Sequence, residues 1–205
     1  MEIRKVETDF ANSYIISDTD PEGRKVAVVI DPALELEELL GLDVVLCLAT
    51  HGHADHINNA KKICDHFEIP LTLHEKEAIY VKDDSYNLSR YVLHRPLDKP
   101  ENLKLLSGGD ELSFLGHTIK VYHTPGHTQG SVMYLLDDRY LFSGDTLFKG
   151  TIGRTDLPGS SPEAMDATLT KLGEIAGDFE VFPGHGENTT FSRVQSQLEY
   201  LRGLL

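Results

Sequence analysis

The sequence contains little cysteine and no tryptophan. Only two of its 205 residues are cysteine, Cys47 and Cys64, and they stand 17 positions apart. Two cysteines at this spacing form neither a Cys-x-x-Cys unit nor a disulfide framework. Both lie in apolar segments, where a free cysteine packs as a small hydrophobic residue. The composition therefore excludes a small extracellular scaffold held by disulfides, and we expect a cytoplasmic location.

Long apolar runs and an excess of positive charge are also missing. No apolar run approaches the roughly 20 residues of a membrane-spanning helix, and the first residues do not form a signal-peptide pattern. The 33 acidic residues outnumber the 19 basic ones, which gives a net charge of −14. This charge opposes non-specific binding to nucleic acid and to anionic lipid. We therefore expect no nucleic-acid or membrane partner, and the oligomeric state cannot be read from the sequence.

Four potential metal ligands occur within one segment of six residues. The segment reads His-Gly-His-Ala-Asp-His, and its ligands are His51, His53, Asp55 and His56. It follows the apolar run 44–49 after a single residue, which predicts that a buried strand ends at the cluster. Imidazole nitrogens and carboxylate oxygens bind zinc, iron and manganese, and such ions generate a nucleophile from water near neutral pH. The segment therefore predicts a metal site with hydrolytic chemistry.

Three later segments also place a potential ligand just after a predicted strand. A glycine directly precedes the ligand in each of them, and the ligands are His127, Asp145 and His185. Glycine permits the sharp turns and the close backbone approach that a crowded site requires. The complete set exceeds what one tetrahedral zinc needs, and it fits two divalent ions that share a carboxylate. We expect zinc, with iron or manganese as the alternatives, because these donors accept all three.

The remaining five histidines lack such a context. A lone histidine near the end of a strand is usually a surface or core residue rather than a ligand. We therefore expect structural or solvent-facing roles for His66, His74, His94, His117 and His123.

The hydrophobic pattern predicts two strand-rich halves that each carry helices. Strands are predicted over 12–17, 26–30, 44–49, 71–74, 103–106, 111–114, 118–123, 131–136, 140–143 and 181–182. Helices are predicted over 34–40, 56–67, 161–175 and 191–201. Residues 80–100 are polar and predict a long irregular loop of the lid or binding type. The pattern indicates two packed sheets with helices outside, within a single domain over 1–205, and loops that converge on one rim.

Four motifs resemble those of the metallo-β-lactamase superfamily, and in the same order. They are H-x-H-x-D-H at 51–56, P-G-H-T at 125–128, G-D-T-L-F at 144–148 and P-G-H-G at 183–186. Within that superfamily the chain is similar to the glyoxalase II-like group, the hydroxyacylglutathione hydrolases. The resemblance implies an α+β fold, namely a four-layer αββα sandwich with two mixed sheets, helices on the outer faces and metals at one edge.

The resemblance also implies which residue binds which ion. His51, His53 and His127 would bind the first ion, and Asp55, His56 and His185 the second. Asp145 would bridge the two ions. A hydroxide between them would attack the carbonyl of a hydroxyacyl thioester such as S-lactoylglutathione, a small-molecule substrate. Asp55 would orient that hydroxide, so Asp55 and Asp145 are the predicted catalytic residues.

Substrate contacts are also implied by the resemblance. Glyoxalase II has a cationic side chain at the position of Arg154, which holds the glycine carboxylate of glutathione, and arginine can grip a carboxylate with two hydrogen bonds. The alternative is that Arg154 pairs with Asp156. Lys149 adds a second positive charge nearby, and Asn87 is predicted to line the substrate pocket. Asp31, before a proline, is expected either to hydrogen-bond the histidine loop or to open an ordinary turn.

Other functions are compatible with the same framework. Persulfide dioxygenases share it and have a Gly-Arg-Thr-Asp segment like residues 153–156. They would use a single iron at His51, His127 and Asp145. Their last histidine stands in an Ala-His-Asp setting, whereas residues 184–186 read Gly-His-Gly, which favours the hydrolase. Lactone or β-lactam hydrolysis is a third possibility, and a non-catalytic metal-binding or partner-binding module is a fourth.

Overall fold

The computed structural model describes residues 1–205. The elements of the first half are β1 (Glu2–Glu7), β2 (Asn12–Thr19), β3 (Lys25–Ile30), β4 (Asp43–Leu48), α1 (Ala54–Ile57), α2 (Ala60–Phe67), β5 (Leu71–His74), α3 (Ala78–Lys82), α4 (Asp84–Asn87), α5 (Ser89–Val92) and β6 (Leu103–Leu106). Those of the second half are β7 (Glu111–Phe114), β8 (His117–His123), β9 (Val132–Leu136), β10 (Tyr140–Gly144), β11 (Leu147–Phe148), β12 (Thr151–Ile152), α6 (Pro162–Gly173), β13 (Glu180–Pro183), β14 (Thr189–Thr190), α7 (Phe191–Gln195) and α8 (Leu198–Arg202). Two short 3₁₀ helices, Leu36–Leu39 and Glu75–Glu77, complete the set. None of the helices has the length and apolar character needed to cross a membrane.

The strands form two six-stranded sheets and one short hairpin. The first sheet has the order β1-β2-β3-β4-β5-β6, and the second has the order β14-β13-β10-β9-β8-β7. The first sheet is antiparallel from β1 to β3 and parallel from β3 to β6. In the second sheet only β10 and β13 are parallel neighbours. Both sheets are therefore mixed, and β11 pairs with β12 outside them.

Alternating side chains of the strands separate the core into layers. Tyr14 and Ile16 of β2 belong to a cluster that also contains Tyr134 and Phe142 of the second sheet. Ile15, between them, points to the opposite face, where a second cluster includes residues of α1 and α2. A third cluster packs α6 and the C-terminal helices against the outer face of the second sheet. This layering confirms the four-layer αββα sandwich and the α+β class.

The two cysteines are buried and free, as the sequence indicates. Cys47 of β4 and Cys64 of α2 both belong to the cluster between the first sheet and its helices. Both therefore pack as small hydrophobic residues among apolar side chains.

Several predicted elements differ from the structure. Residues 80–100 are not one irregular loop, because α3, α4 and α5 occupy the segment from Ala78 to Val92. A local side-chain cap explains part of the difference: Asp83 accepts a hydrogen bond from the Ser85 N–H and starts α4. The predicted helices 56–67 and 191–201 are each split into two, and 34–40 is only a 3₁₀ turn. Strand β1 was not predicted, because it is a half-exposed edge strand rich in charge.

Candidate metal centre

Four strands end at one rim of the two sheets, and the potential ligands follow them. β4 precedes the segment 51–56, β8 precedes His127, β10 precedes Asp145 and β13 precedes His185. β10 and β13 are parallel, and β8 shares their direction because β8 and β10 both pair antiparallel with β9. The three loops of the second sheet therefore open on the same side, next to the loop after β4. The structure brings all seven residues together in one cluster.

The first group of the cluster consists of three imidazoles. His51 Nε2 lies 3.1 Å from His53 Nδ1, which lies 2.9 Å from His127 Nε2. All three rings are buried. Three imidazole nitrogens that converge from two loops form a site for one metal ion.

The second group consists of two imidazoles and a carboxylate. His56 Nε2 lies 3.3 Å from His185 Nε2, and His185 Nε2 lies 3.4 Å from Asp55 Oδ2. His56 is fully buried, whereas His185 and Asp55 are partly exposed. This group therefore forms the more open of the two candidate ion sites.

Asp145 lies between the two groups. Its Oδ1 is 3.2 Å from His56 Nε2, and its Oδ2 is 3.5 Å from His127 Nε2 and 3.4 Å from His185 Nε2. One carboxylate thus contacts members of both groups, which is the geometry that a bridging ligand requires.

The surroundings of the rings test whether the cluster fits metal ions. The outward nitrogens of three ligands are engaged elsewhere: His51 Nδ1 with Thr50 Oγ1 at 3.1 Å, His56 Nδ1 with Asp31 Oδ2 at 2.9 Å, and His127 Nδ1 with the Arg154 carbonyl at 2.9 Å. Such contacts orient a ligand ring and leave its other nitrogen free for a metal.

The distances between the ligand atoms and one unpaired carboxylate oxygen also indicate a fit to metal ions. Adjacent ligands around a tetrahedral zinc with bonds of about 2.0–2.1 Å lie about 3.3–3.4 Å apart. The spacings of 3.3 and 3.4 Å in the second group match this value, and those of 2.9 and 3.1 Å in the first group are shorter. Asp145 Oδ1 is buried, and although it lies 3.2 Å from His56 Nε2, it accepts no hydrogen bond. A buried carboxylate oxygen without a donor is costly unless a cation compensates it. The donor set therefore fits two divalent ions.

The pKa values of the first group favour neutral imidazoles. Burial lowers the pKa of His51 well below its usual value, and the nearby histidines lower it further. Burial, together with His127, lowers the pKa of His53 to about 3. Both rings are therefore neutral at physiological pH and keep a lone pair for a metal.

The carboxylates reverse this effect in the second group. Burial opposes charge on His56, but Asp145 and Asp31 raise its pKa well above the usual value. Burial likewise opposes charge on His185, whereas hydrogen bonds to Asp145 and Asp55 raise its pKa to about 9. For Asp145, burial favours the neutral acid, but His56 and His185 hold its pKa well below the usual value. The acids thus attract positive charge, which protons supply when no metal does.

A glycine allows the tightest approach within the cluster. A Cβ at Gly184 would overlap Asp145 Oδ1 and lie 2.5 Å from His56 Cε1. Any other residue directly before His185 would therefore displace two ligands. This agrees with the prediction that glycine precedes the ligands because the site is crowded.

A cavity of about 670 Å³ opens beside the cluster. His53, Asp55, His127, Asp145 and His185 form its polar end. Its other walls are mainly apolar and are formed by Leu88, Tyr91, Val92, Phe148, Ile152 and Leu157. A reacting group at the cluster would therefore have apolar surroundings, from which water is partly excluded.

The predicted substrate-binding residues Arg154 and Lys149 differ in their position relative to the cavity. Arg154 lines the cavity, but its guanidinium makes two hydrogen bonds of 2.9 Å with Asp156, which is the alternative arrangement. Lys149 is exposed, pairs with Glu187 and does not line the cavity.

Asn87 does not line the cavity either, and its assignment to the substrate pocket is corrected. Its side chain is fully buried: Nδ2 donates to the Tyr80 carbonyl at 2.8 Å, and Oδ1 accepts from the Ser89 N–H at 2.9 Å. These contacts join α3 to α5, so Asn87 holds this helical segment together. The neighbouring Leu88 reaches the cavity instead.

Sequence reasoning missed one buried acid near the ligand loops. Glu77 is fully buried, whereas Glu75, two residues earlier, is exposed. Burial raises the pKa of Glu77 to about 7, although hydrogen bonds from Thr128, Gly52 and Gly130 favour the ionised form. No spacing or neighbouring motif distinguishes the two acids in the sequence.

The family comparison agrees with the fold and the site. The family model described as the metallo-beta-lactamase superfamily matches residues 7–190, and the chain belongs to that superfamily. Together with the histidine-rich metal site, this membership defines a metal-dependent hydrolase.

Three similar proteins have more specific descriptions. The chain is similar to hydroxyacylglutathione hydrolase GloC of Haemophilus influenzae, with 30% identity over 189 residues, 88% of this chain and 89% of that protein. It is similar in structure to the BLEG-1 B3 metallo-beta-lactamase, with a TM-score of 0.85 and 31% identity, covering 98% and 99% of the two chains. TTHA1623, solved in a di-iron-bound form, gives a TM-score of 0.78 and 29% identity over the whole of both chains.

Proposed function

We propose that the protein hydrolyses a hydroxyacyl thioester, with S-lactoylglutathione as the representative substrate. The observation that carries the proposal is the position of Asp145, which contacts both ligand groups at the polar end of a cavity. The similarity to GloC supports the thioester class.

Two divalent ions, zinc in our proposal, would be held by the two ligand groups. His51, His53 and His127 would hold one, Asp55, His56 and His185 the other, and Asp145 both. When bound, such ions lower the pKa of water, polarise a carbonyl and stabilise the negative charge that develops on its oxygen.

The protein's own groups would orient the attacking water and accept its proton. Asp55 lines the cavity and keeps part of its carboxylate exposed. A water that donates a hydrogen bond to an Asp55 oxygen is aligned for attack on the thioester carbon, and its proton passes to that oxygen. When the carbon–sulfur bond breaks, the leaving thiolate takes that proton back from Asp55, and the acyl group, which keeps the oxygen and the other proton of the water, leaves as a carboxylic acid.

The apolar walls would bind the hydrocarbon parts of the substrate. Tyr91 and Val92 of α5 line the cavity, and Phe148 and Ile152 of the β11–β12 hairpin line it as well. Apolar contact of this kind excludes water from the reacting carbonyl and strengthens the electrostatic interactions around it. Arg154, once released from Asp156, would bind a carboxylate of the thiol portion.

Metal analysis paired with turnover tests the proposal. We expect the purified protein to retain two divalent ions per chain and to release thiol from S-lactoylglutathione without consuming oxygen. Dialysis against a chelator should abolish thiol release, and added zinc should restore it. Oxygen consumption with a glutathione persulfide and a single bound iron would instead support the dioxygenase and overturn the hydrolase.

β-Lactam hydrolysis is a second candidate, supported by the similarity to BLEG-1 across nearly the whole chain. The same apolar cavity would accept a lactam ring, and the same cluster would attack its carbonyl. A chromogenic cephalosporin assayed beside S-lactoylglutathione separates the two. A higher kcat/KM for the cephalosporin would replace the thioester proposal.

A further inference from the structure

Glu77 is a buried acid without a cationic partner. It ends the 3₁₀ helix Glu75–Glu77 that follows β5, and its side chain is fully enclosed. None of the ion pairs in residues 1–205 involves it. A buried carboxylate of this kind is retained only where hydrogen bonds compensate its lost hydration.

Three donors from two ligand loops converge on this carboxylate. Oε2 accepts from the Gly52 N–H at 2.6 Å, and Oε1 accepts from the Gly130 N–H at 2.7 Å and from Thr128 Oγ1 at 2.8 Å. Gly52 stands between His51 and His53, and Thr128 directly follows His127. One side chain therefore connects the loop that carries two ligands of the first group, His51 and His53, to the loop that carries the third, His127.

Both loops approach the carboxylate through glycine. A Cβ at Gly130 would lie 2.8 Å from Glu77 Oε1, and one at Gly52 would lie 2.5 Å from the Cβ of Tyr80. The loops can therefore donate their backbone N–H groups only because these positions lack side chains.

We propose that Glu77 is a positioning residue that fixes His51 and His53 relative to His127 and thereby sets the affinity of the first metal site. Asp55 and His56 of the second group share the loop of Gly52, but Asp31 holds the His56 ring, and His185 lies on a loop that makes no hydrogen bond to Glu77, so the second site should depend much less on Glu77. Hydrogen-bond partners that orient ligands indirectly typically contribute about 10- to 100-fold to metal affinity.

The choice of variant follows from the three donors. In Glu77→Gln the side chain keeps its shape, but an amide nitrogen replaces one carboxylate oxygen. This nitrogen is a donor and faces a backbone N–H, so one acceptor is lost. Glu77→Asp keeps both acceptor oxygens but shortens their reach by one methylene. Gln195→Ala is the control, because Gln195 is half-buried and donates to two carbonyls, those of Leu172 and Ile175, and makes no hydrogen bond to a ligand loop.

Zinc titration against a chromophoric chelator measures both sites without any substrate. His127→Ala and His185→Ala identify the binding step of the first and the second site, respectively. For Glu77→Gln we expect the first-site Kd to rise about 10- to 100-fold and the second-site Kd to stay within about twofold. Glu77→Asp should give an intermediate first-site value, and the cobalt(II) absorption spectrum should change for the first site alone. Gln195→Ala should lower the unfolding temperature and leave both Kd values unchanged.

Two results would overturn the proposal. One is unchanged zinc affinity at the first site in Glu77→Gln, and the other is an equal loss at both sites, which a general loosening of the fold would produce. If Glu77→Gln does not fold, Glu77→Asp decides by the same comparison. Because zinc binding is measured directly, the outcome is independent of whether the protein cleaves thioesters.

Discussion

Asp31 Oδ2 lies 2.9 Å from His56 Nδ1, and the same carboxylate holds the start of the ligand loop. Its Oδ1 accepts from the Thr50 N–H at 2.7 Å, and its Oδ2 also accepts from Thr50 Oγ1 at 2.9 Å. Asp31 adopts a left-handed backbone conformation, with φ of 54°. The structure thus shows the hydrogen-bonding role for Asp31 rather than an ordinary turn, and this role suggests a first test.

Asp31→Asn should weaken the site that contains His56. Asparagine tolerates the left-handed backbone, so the substitution tests the contacts rather than the turn. It offers one acceptor oxygen in place of two, and we expect the Kd of the second zinc to rise about 10- to 100-fold. Chelator competition measures the change. Two ions bound as tightly as in the unmodified protein would show that Asp31 only shapes the chain.

Asp145→Ala should remove metal from both sites. The carboxylate contacts ligands of both groups, so its loss deprives each of a negatively charged donor. We expect fewer than two ions per chain by mass spectrometry, and a fall in kcat of at least about 10²–10³-fold, the scale of a lost transition-state contact. Full metal content with ordinary turnover would exclude the bridging role.

Arg154→Ala should raise KM for S-lactoylglutathione about tenfold, with kcat within about twofold. A charge-assisted hydrogen bond to a carboxylate contributes about 1.5–3 kcal/mol to binding. The loss of the hydrogen bonds between Arg154 and Asp156 offsets part of this gain. Asp156→Asn is the matched variant, because it frees the guanidinium and should lower KM. Steady-state kinetics of the two variants gives the answer. An unchanged KM in Arg154→Ala would remove the residue from the substrate site.

The ion pairs of His117 predict that the free energy of unfolding depends on pH. Its Nε2 lies 2.9 Å from Asp18 Oδ2 on the first sheet, and its Nδ1 lies 2.6 Å from Asp137 Oδ2 on the second, while the N-terminal amino group also contacts Asp18. Burial opposes its charge, but the hydrogen bonds and charges of the two aspartates together raise its pKa above the usual value. The resulting stabilisation is complete below the unfolded pKa of about 6.5 and is lost as pH rises through the raised folded value.

The measurement compares the unmodified protein with His117→Gln at two pH values. We expect the unfolding temperature of the unmodified protein to exceed that of the variant more at pH 6 than at pH 9. Glu163→Gln, which changes an exposed acid on α6, serves as the control for altered net charge. A difference that does not vary with pH would mean that His117 is not charged in the folded state.

The ligand cluster could be predicted because its chemistry is local in the sequence. Four ligands are nearly consecutive at 51–56, and the other three follow strands with a glycine directly before them. The sheets could be predicted for a similar reason, since an alternating or apolar run reports a buried strand. Such a motif can be recognised from neighbouring residues alone, without knowledge of contacts between distant segments.

Other features depend on contacts between distant segments. The burial of Glu77 exists only because Gly52 and Gly130 meet around it, and these residues are 78 positions apart. The helices of residues 78–92 were missed because Asn87 and Asp83, polar residues typical of loops, bond to the backbone there. The cytoplasmic location and a small-molecule partner, rather than nucleic acid or membrane, stay predictions.

The ligands are divided between the two sheets: the loop after β4 supplies four, and the loops of the second sheet supply three. Ions bound at this rim would therefore cross-link the two halves of the sandwich, and the free energy of unfolding would rise with the concentration of free metal. At a hundred times Kd the gain from one site is about 2.7 kcal/mol. A cell depleted of that metal would then degrade the protein faster, so its abundance would report the metal supply.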